Sequence, residues 1–442
     1  MNNTTSFFAK IKKLFKILGP GVITGASDDD PSGIATYSQA GSKFGLVTLW
    51  MALITFPLMA SIQEMCARIG MVTSLGLTTT LKKHYSKTIL YSMMLFSVPA
   101  IVLNIGADIA GMGAVANLIF PSIHSIIFSI IFTVMLMFLI VYFSYHKIVA
   151  VLKYLCLSLI LYIAVPFFTN PDWIKVLKFT FIPTIQLNKD FFEIIVAILG
   201  TTISPYLFFW QVSMEAEDVK QSRQLVLARN KIVKPERYVK GTKFVEGNYF
   251  RLLIKKMQLD VNFGMLLSNL VMFFIILATG TALFGNGITQ IDTVEQAAKA
   301  LEPVAGKASY LLFALGVIGT GFLAIPVLCG SLSYIVSETF GWKGDLDKKY
   351  YQAKSFYIVI IISLILGLLL NYIGISPMQA LIYTAILYGI TSPILIAIIM
   401  HIANNKKIMG EHTNGKLSNT FGFITLFIMA FAAITLIYFQ FQ

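Results

Sequence analysis

The sequence predicts an all-α polytopic membrane protein of about eleven transmembrane helices, arranged as an inverted five-plus-five repeat. Three observations predict it. Of 442 residues, 57% are hydrophobic and only 12% charged, with a mean hydropathy of +0.77. A soluble surface of that size needs far more charge. Apolar stretches of the roughly 20 residues that a bilayer requires follow one another from end to end. The first and the sixth stretches are each interrupted, at Asp30-Pro31-Ser32-Gly33 and at Gly200-Thr201-Thr202-Ile203-Ser204-Pro205. Proline removes a backbone donor and glycine relaxes the chain beside it. Two broken helices, each opening a five-span half, mark an inverted repeat with a site at mid-membrane.

The elements follow in order. Segment 1–17 sets Lys10, Lys12, Lys13 and Lys16 against Phe8, Ile11 and Phe15 at helical spacing, which Leu18 continues. It reads as an amphipathic helix on the cytoplasmic membrane surface, and no small-residue cleavage pattern follows it. The first repeat, 18–169, has spans near 18–40, 46–72, 88–118, 123–144 and 149–169. The second, 190–400, has spans near 190–212, 260–285, 307–336, 354–372 and 377–400, and an eleventh span covers 419–440. Between spans six and seven, the loop 213–258 carries the densest basic block, from Lys220 to Lys256, so it belongs in the cytoplasm. Lys82-Lys83 and Lys406-Lys407 agree in phase, and the loop 286–303 with Asp292, Glu295 and Glu302 falls outside. The N-terminus is then cytoplasmic, the C-terminus extracytoplasmic, and the expected home is the lipid bilayer of the cell membrane.

The same placement explains the net charge of +13 without a nucleic-acid partner. Cys66, Cys156 and Cys329 lie far apart in apolar segments, so neither a zinc site nor a disulfide scaffold is expected. His84, His124, His146, His401 and His412 lie in loops or at span ends, away from any buried proton relay. No Ser/His/Asp set, HExxH or phosphate loop lies in the spans, so no enzyme and no bound cofactor is expected.

Chemistry concentrates at the first break. Asp28, Asp29 and Asp30 sit about ten residues into a span, where a carboxylate costs several kcal/mol. An unwound backbone beside them frees carbonyl oxygens, and carboxylate plus carbonyl is the donor set of a cation. Glu64 and Arg68, one helical turn apart, are expected to pair structurally. Glu215, Glu217 and Asp218 are expected in a solvated loop, with an acidic vestibule as the alternative.

Gly19-Pro20-Gly21, Asp30-Pro31-Ser32-Gly33 and Gln39-Ala40-Gly41 resemble the first span of the NRAMP divalent-metal transporters, whose break reads Asp-Pro-Gly-Asn. Gln63 with Ala67-Arg68-Ile69-Gly70 resembles that family's second span. Gly200 to Tyr206 resembles the sixth, whose break reads Met-Pro-His, and Glu338-Thr339-Phe340 fits after the eighth. The resemblance implies a LeuT-like fold and a transported divalent cation as substrate. It places the metal-holding positions on Asp30, Gly33 and Ser204, with the Thr201 carbonyl completing them. Asp28 and Asp29 then bind through water or raise the local field.

The departures from the family matter more. Gly33 replaces the asparagine and Ser204 the methionine, so the soft thioether that favours Mn²⁺ or Fe²⁺ is gone and only oxygen donors remain. That pattern is similar to the NRAMP-related magnesium transporters, and a roomy oxygen site suits a largely hydrated Mg²⁺. In span three the family's proton-carrying aspartate falls on Ile105 and its glutamate on Asp108, which implies uptake without proton coupling. Asp108 either attracts cations or makes a helix–helix hydrogen bond. Lys354 lies near the family's span-nine arginine. In span ten its glutamine is replaced by Ala385 or Thr391, with Thr384 the nearest polar substitute. The expectation is a monomeric alternating-access importer of Mg²⁺, with Mn²⁺ also admitted. The alternatives are a proton-coupled Mn²⁺/Fe²⁺ importer and a cation-coupled amino-acid symporter. Three adjacent acids would repel the carboxylate of an amino acid.

Overall fold

The computed structural model of the chain describes residues 19–143, 161–232, 242–342, 344–346 and 348–441, with side chains except at 161 and 221–249. The amphipathic segment 1–17, Leu18, His146, Cys156 and most of the fifth span lie outside them. Among the described residues there are helices, turns and no strand. The α-helices are α1 Pro20–Asp28, α2 Pro31–Phe44, α3 Trp50–Thr73, α4 Leu77–His84, α5 Lys87–Ile119 and α6 Ser125–Tyr142. They continue with α7 Leu161–Thr169, α8 Trp173–Phe181, α9 Lys189–Thr202, α10 Pro205–Ile232, α11 Thr242–Ala282, α12 Val294–Ala298 and α13 Glu302–Ala305. The last are α14 Ser309–Phe340, α15 Lys354–Leu370, α16 Pro377–Asn404, α17 Lys406–Met409 and α18 Lys416–Gln440.

Among the described residues, eight helical segments are long and apolar enough to cross a membrane. Two more expected spans fail that test for local reasons. The first span is split into α1 and α2, and α15 has 17 residues. Both predicted interruptions are present, and they share a form. Each leading half-helix stops at one residue with ψ near +50°, Asp29 (φ −85°, ψ 50°) and Ile203 (φ −112°, ψ 59°). Each following half restarts on proline, Pro31 and Pro205, whose missing N–H and fixed φ suit the first helical position.

The basic stretch 213–258 differs from its reading as a loop. α10 runs on to Ile232 and α11 begins at Thr242, so much of the block is helical extension. Between Ser213 and Ile232 stand Glu, Ala, Lys, Gln, Leu and Arg without glycine or proline, all good helix formers. Charge marks the end of the apolar run but does not end the helix.

The two halves interlock. α1 and α2 both pack on α11, α9 packs along α16, α10 along α3, and α5 lies between α14 and α16. Close approach of α1 to α11 depends on Gly21 and Gly25. A Cβ at Gly21 would stand 2.6 Å from the Val261 backbone, and one at Gly25 would run into Gly264. Small residues let backbones touch where the lipid gives helices no hydrophobic drive to associate. The core enclosed this way buries Tyr37, Tyr206, Trp210 and Tyr388 almost completely.

Candidate cation site at the facing helix breaks

Asp30 is the N-cap of α2: extended at φ −69°, ψ 172°, its carboxylate accepts the Gly33 backbone N–H at 2.7 Å. Its other oxygen accepts from Asn104 Nδ2 of α5 at 2.9 Å. Asn104 Oδ1 in turn accepts from Thr384 Oγ1 of α16 at 3.1 Å, and the Thr384 hydroxyl lies 3.2 Å from Ser32 Oγ. Asp30 is thus gripped from α2, α5 and α16 together.

The second break faces the first across Gly33. A Cβ on Gly33 would stand 3.2 Å from both the Asp28 carbonyl oxygen and Thr201 Oγ1. The missing side chain is what lets the two breaks approach. Tyr206 donates its hydroxyl to the Ser27 carbonyl at 2.8 Å, tying α10 to the last turn of α1, and Tyr37 OH lies 3.3 Å from Thr202 Oγ1. Ser204 Oγ turns back on its own strand of carbonyls, 2.6 Å from Thr201 O and 3.0 Å from Gly200 O. The Ile203 carbonyl, freed by the break, lies 3.0 Å from Ser392 Oγ of α16, which also reaches the Tyr388 carbonyl at 2.7 Å.

The acidic triplet is divided rather than convergent. Ser268 Oγ of α11 lies 2.6 Å from Asp28 Oδ2 and 3.3 Å from Asp29 Oδ1, while Asp30 turns to α5. Asp28 Oδ1 has no hydrogen-bond partner. Among the described residues no three His, Cys, Asp or Glu side chains gather as a metal-holding group. What the geometry brings together is one carboxylate, Asp30, with Gly33, the Asp28 carbonyl and Thr201. Ser204 joins through its bond to the Thr201 carbonyl. Such a set can hold a cation through oxygen and offers no soft donor.

Burial is nearly complete: Asp28 is 0%, Asp30 2%, Thr201 2% and Ser204 1% exposed. A cavity of about 470 Å³ lies apart from the breaks, between α10, α14 and α4. It is lined by Glu217, Lys220, Tyr334, Glu338 and Asp345.

Other sequence-predicted residues find definite places. Asp108 is fully buried on α5, one turn beyond Asn104, with the Ser32 backbone beside its carboxylate. Ile105, where the resemblance places an acid, packs against Gly367 of α15 in an apolar contact. Of the span-ten candidates, Thr384 reaches the Asp30 network, whereas Thr391 bonds the Leu387 carbonyl of its own helix at 2.9 Å. Lys354 is exposed at the start of α15. Glu64 and Arg68 do pair, at 3.8 Å. The acids after span six are not a solvated loop: they ride on α10, with Glu215 6% exposed and accepting from Gln211 at 3.0 Å. Tyr334 OH donates to Glu217 at 2.7 Å.

Sequence reasoning missed Asn104, Ser268, Ser392 and Asp260. Asp260 of α11 caps α1 by accepting the N–H groups of Gly19 and Gly21 at 3.0 and 2.7 Å. One signal was available for Asn104: an amide in mid-span, four residues before Asp108, carries its own desolvation cost and calls for a partner.

Comparison with known proteins bears on this architecture. Residues 21–439 match the family model described as natural resistance-associated macrophage protein-like, Nramp. A curated relative, the divalent metal cation transporter MntH of Caldanaerobacter subterraneus subsp. tengcongensis, is 24% identical over 426 residues, covering 95% of this chain and 92% of its own. Among solved structures, the Eremococcus coleocola manganese transporter superposes with a TM-score of 0.71 at 17% identity, covering 98% of this chain and 88% of its own. MhsT, solved in complex with L-phenylalanine, superposes with a TM-score of 0.58 at 10% identity, covering 95% of this chain and 97% of its own. At these identities the superpositions speak for a shared broken-helix fold alone.

Proposed function

The chain belongs to the natural resistance-associated macrophage protein-like family, and from that premise we propose that it carries divalent metal cations across the cell membrane by alternating access. It is a multi-pass membrane protein and not an enzyme. The observation that carries the reading is the apposition of the two breaks at Gly33, beside the buried Asp30 carboxylate and with the Asp28 carbonyl and Thr201 hydroxyl oxygens at that point of contact. Asp30 is the ligand carboxylate. Carbonyl oxygens of Thr201 and of the first break add neutral donors, and Ser204 tunes the Thr201 carbonyl through its hydrogen bond. Asp28 and Asp29 lie against Ser268 and act on the ion through the field.

Selectivity follows from the donor set. Without a thioether, the site has no chemical preference for softer ions over Mg²⁺. Our reading is therefore Mg²⁺ import with Mn²⁺ also admitted, by a monomer whose N-terminus is cytoplasmic and C-terminus extracytoplasmic. Ile105, packed on Gly367, supports transport without a coupled proton.

A second reading has its own support. The relatives named above are a divalent metal cation and a manganese transporter. Asp108 is a fully buried carboxylate one turn from Asn104, the kind of group through which a proton-coupled route runs. Purified protein in liposomes loaded with a Mg²⁺ indicator, and separately with a pH indicator, separates the two. The first reading expects Mg²⁺ entry with a steady lumenal pH. Mn²⁺ entry that acidifies the lumen, with no Mg²⁺ entry, establishes the second.

A further inference from the structure

We propose that Asn104 is the positioning residue that presents Asp30 to the ion through one oxygen, and that Ser32 and Thr384 fix Asn104 in that role. This rests on the reading of Asp30 as the ligand carboxylate. The groups around Asp30 and Asn104 fit together, with the Tyr388 hydroxyl also against the Asn104 side chain. An ionised Asp30 only accepts, so the Asn104 group 2.9 Å from Oδ2 is the amide NH₂. Asn104 Oδ1 therefore points to Thr384, whose hydroxyl must donate to it at 3.1 Å. Thr384 has one proton, so it cannot also supply the Leu381 carbonyl 2.8 Å away. Ser32 Oγ, 2.7 Å from that carbonyl, supplies it instead. Ser32 lies two residues from Asp30, so the chain closes into a ring through α2, α5 and α16.

The consequence is chemical. Gly33 N–H occupies one lone pair of Oδ1 at 2.7 Å, and the Asn104 amide occupies one of Oδ2. One lone pair remains on each oxygen, so an ion that chelated both would be crowded by both donors, whereas an ion on one oxygen meets only one of them. Ca²⁺ commonly takes bidentate carboxylates at long distances, whereas Mg²⁺ and Mn²⁺ fit one oxygen of a carboxylate in an octahedral shell. The amide is neutral, so it holds the acid without repelling the arriving cation, which a lysine or arginine there would do. Asn104 is 0% exposed and lies one turn from Asp108, so the grip is made inside the protein and not by solvent.

The test is uptake of Mn²⁺ and of Ca²⁺ into liposomes by four variants: Asn104→Leu, Thr384→Val, the double variant and Asp30→Ala. Asn104→Leu should raise the KM for Mn²⁺ about tenfold, the scale of one hydrogen bond to a charged group, with kcat within about twofold. It should also narrow the Mn²⁺ over Ca²⁺ preference. Thr384→Val should move KM the same way by about threefold, and the double variant should be no worse than Asn104→Leu, since both act on one network. An unchanged KM and Mn²⁺/Ca²⁺ ratio in Asn104→Leu, or fully additive losses in the double variant, overturns the proposal. Where Asn104→Leu does not fold, Thr384→Val decides alone, through the same KM and ion-ratio readouts. The Asp30→Ala arm keeps the two ideas apart. Wild-type flux in Asp30→Ala removes the ligand assignment itself. Lost flux there, beside an unaltered Asn104→Leu, removes only the role of Asn104.

Discussion

The two helix breaks have nearly the same backbone and opposite chemistry. Asp29 and Ile203 stop their helices at similar dihedral angles, and Pro31 and Pro205 restart them. Yet the first break carries three carboxylates and the second none, only hydroxyls and carbonyls. The orphaned polar groups are also satisfied differently. In the first, Asp30 caps its own continuing helix at Gly33, whereas in the second the Ile203 carbonyl needs Ser392 from α16. Backbone geometry alone therefore makes an opening but not a site. In the reading proposed above, the charge that draws a cation comes from one half and the neutral oxygen donors from the other.

The largest effect should come from the charged break. Asp30→Ala should lower kcat/KM for divalent uptake roughly 100-fold, equivalent to about 2.7 kcal/mol, because Asp28 and Asp29 are turned to Ser268 instead. Radiometric Mn²⁺ flux into liposomes measures it, and a loss below about threefold would mean that Asp28 or Asp29 can substitute. A smaller effect is expected at the neutral break. Ser204→Cys frees the Thr201 carbonyl from its hydroxyl donor and sets a soft sulfur beside it in nearly the same volume, which should shift the Mn²⁺/Mg²⁺ ratio about tenfold toward Mn²⁺. An unchanged ratio would detach the second break from the ion.

Smaller again, Ser392→Ala removes the hydroxyl that the buried Ile203 and Tyr388 carbonyls share. It should cost about 1–2 kcal/mol in thermal or denaturant stability, with ion selectivity unaltered. Asp172 offers the contrast in water: it caps α8 as Asp30 caps α2, accepting from Ile174 and Lys175 N–H at 3.0 and 3.2 Å. The Lys175 backbone N–H, ahead of Ile174 and the Lys175 charge, holds its carboxyl below the usual range. A depressed folded value means that the stabilisation is present above the unfolded value, about 3.9, and fades as pH falls through the folded one. Asp172→Asn should therefore lower melting temperature slightly at neutral pH, indistinguishably in acid, and leave flux at the wild-type level.

Much of this was legible in the chain. Apolar length gave the spans, and a proline inside two of them marked the breaks, since a missing N–H is a local fact. Asp30 was readable because an acid in mid-span is costly wherever it points. Two kinds of information were not local. The direction of each carboxylate in the Asp28–Asp30 triplet depends on which helix offers a donor. The offers came from Ser268 and Asn104, 240 and 74 positions away. The helical character of the basic block after span six was hidden because charge pattern reports sidedness, and helix formers continue regardless of it.

The most direct measurement is the anomalous scattering of Mn²⁺ in crystals of the wild-type protein. The account predicts a principal peak bonded to one Asp30 carboxylate oxygen, at roughly 2–2.6 Å, between Gly33 and Thr201 and lost in Asp30→Ala. A principal peak held by Asp28, Asp29 and Ser268, persisting in Asp30→Ala, would contradict it.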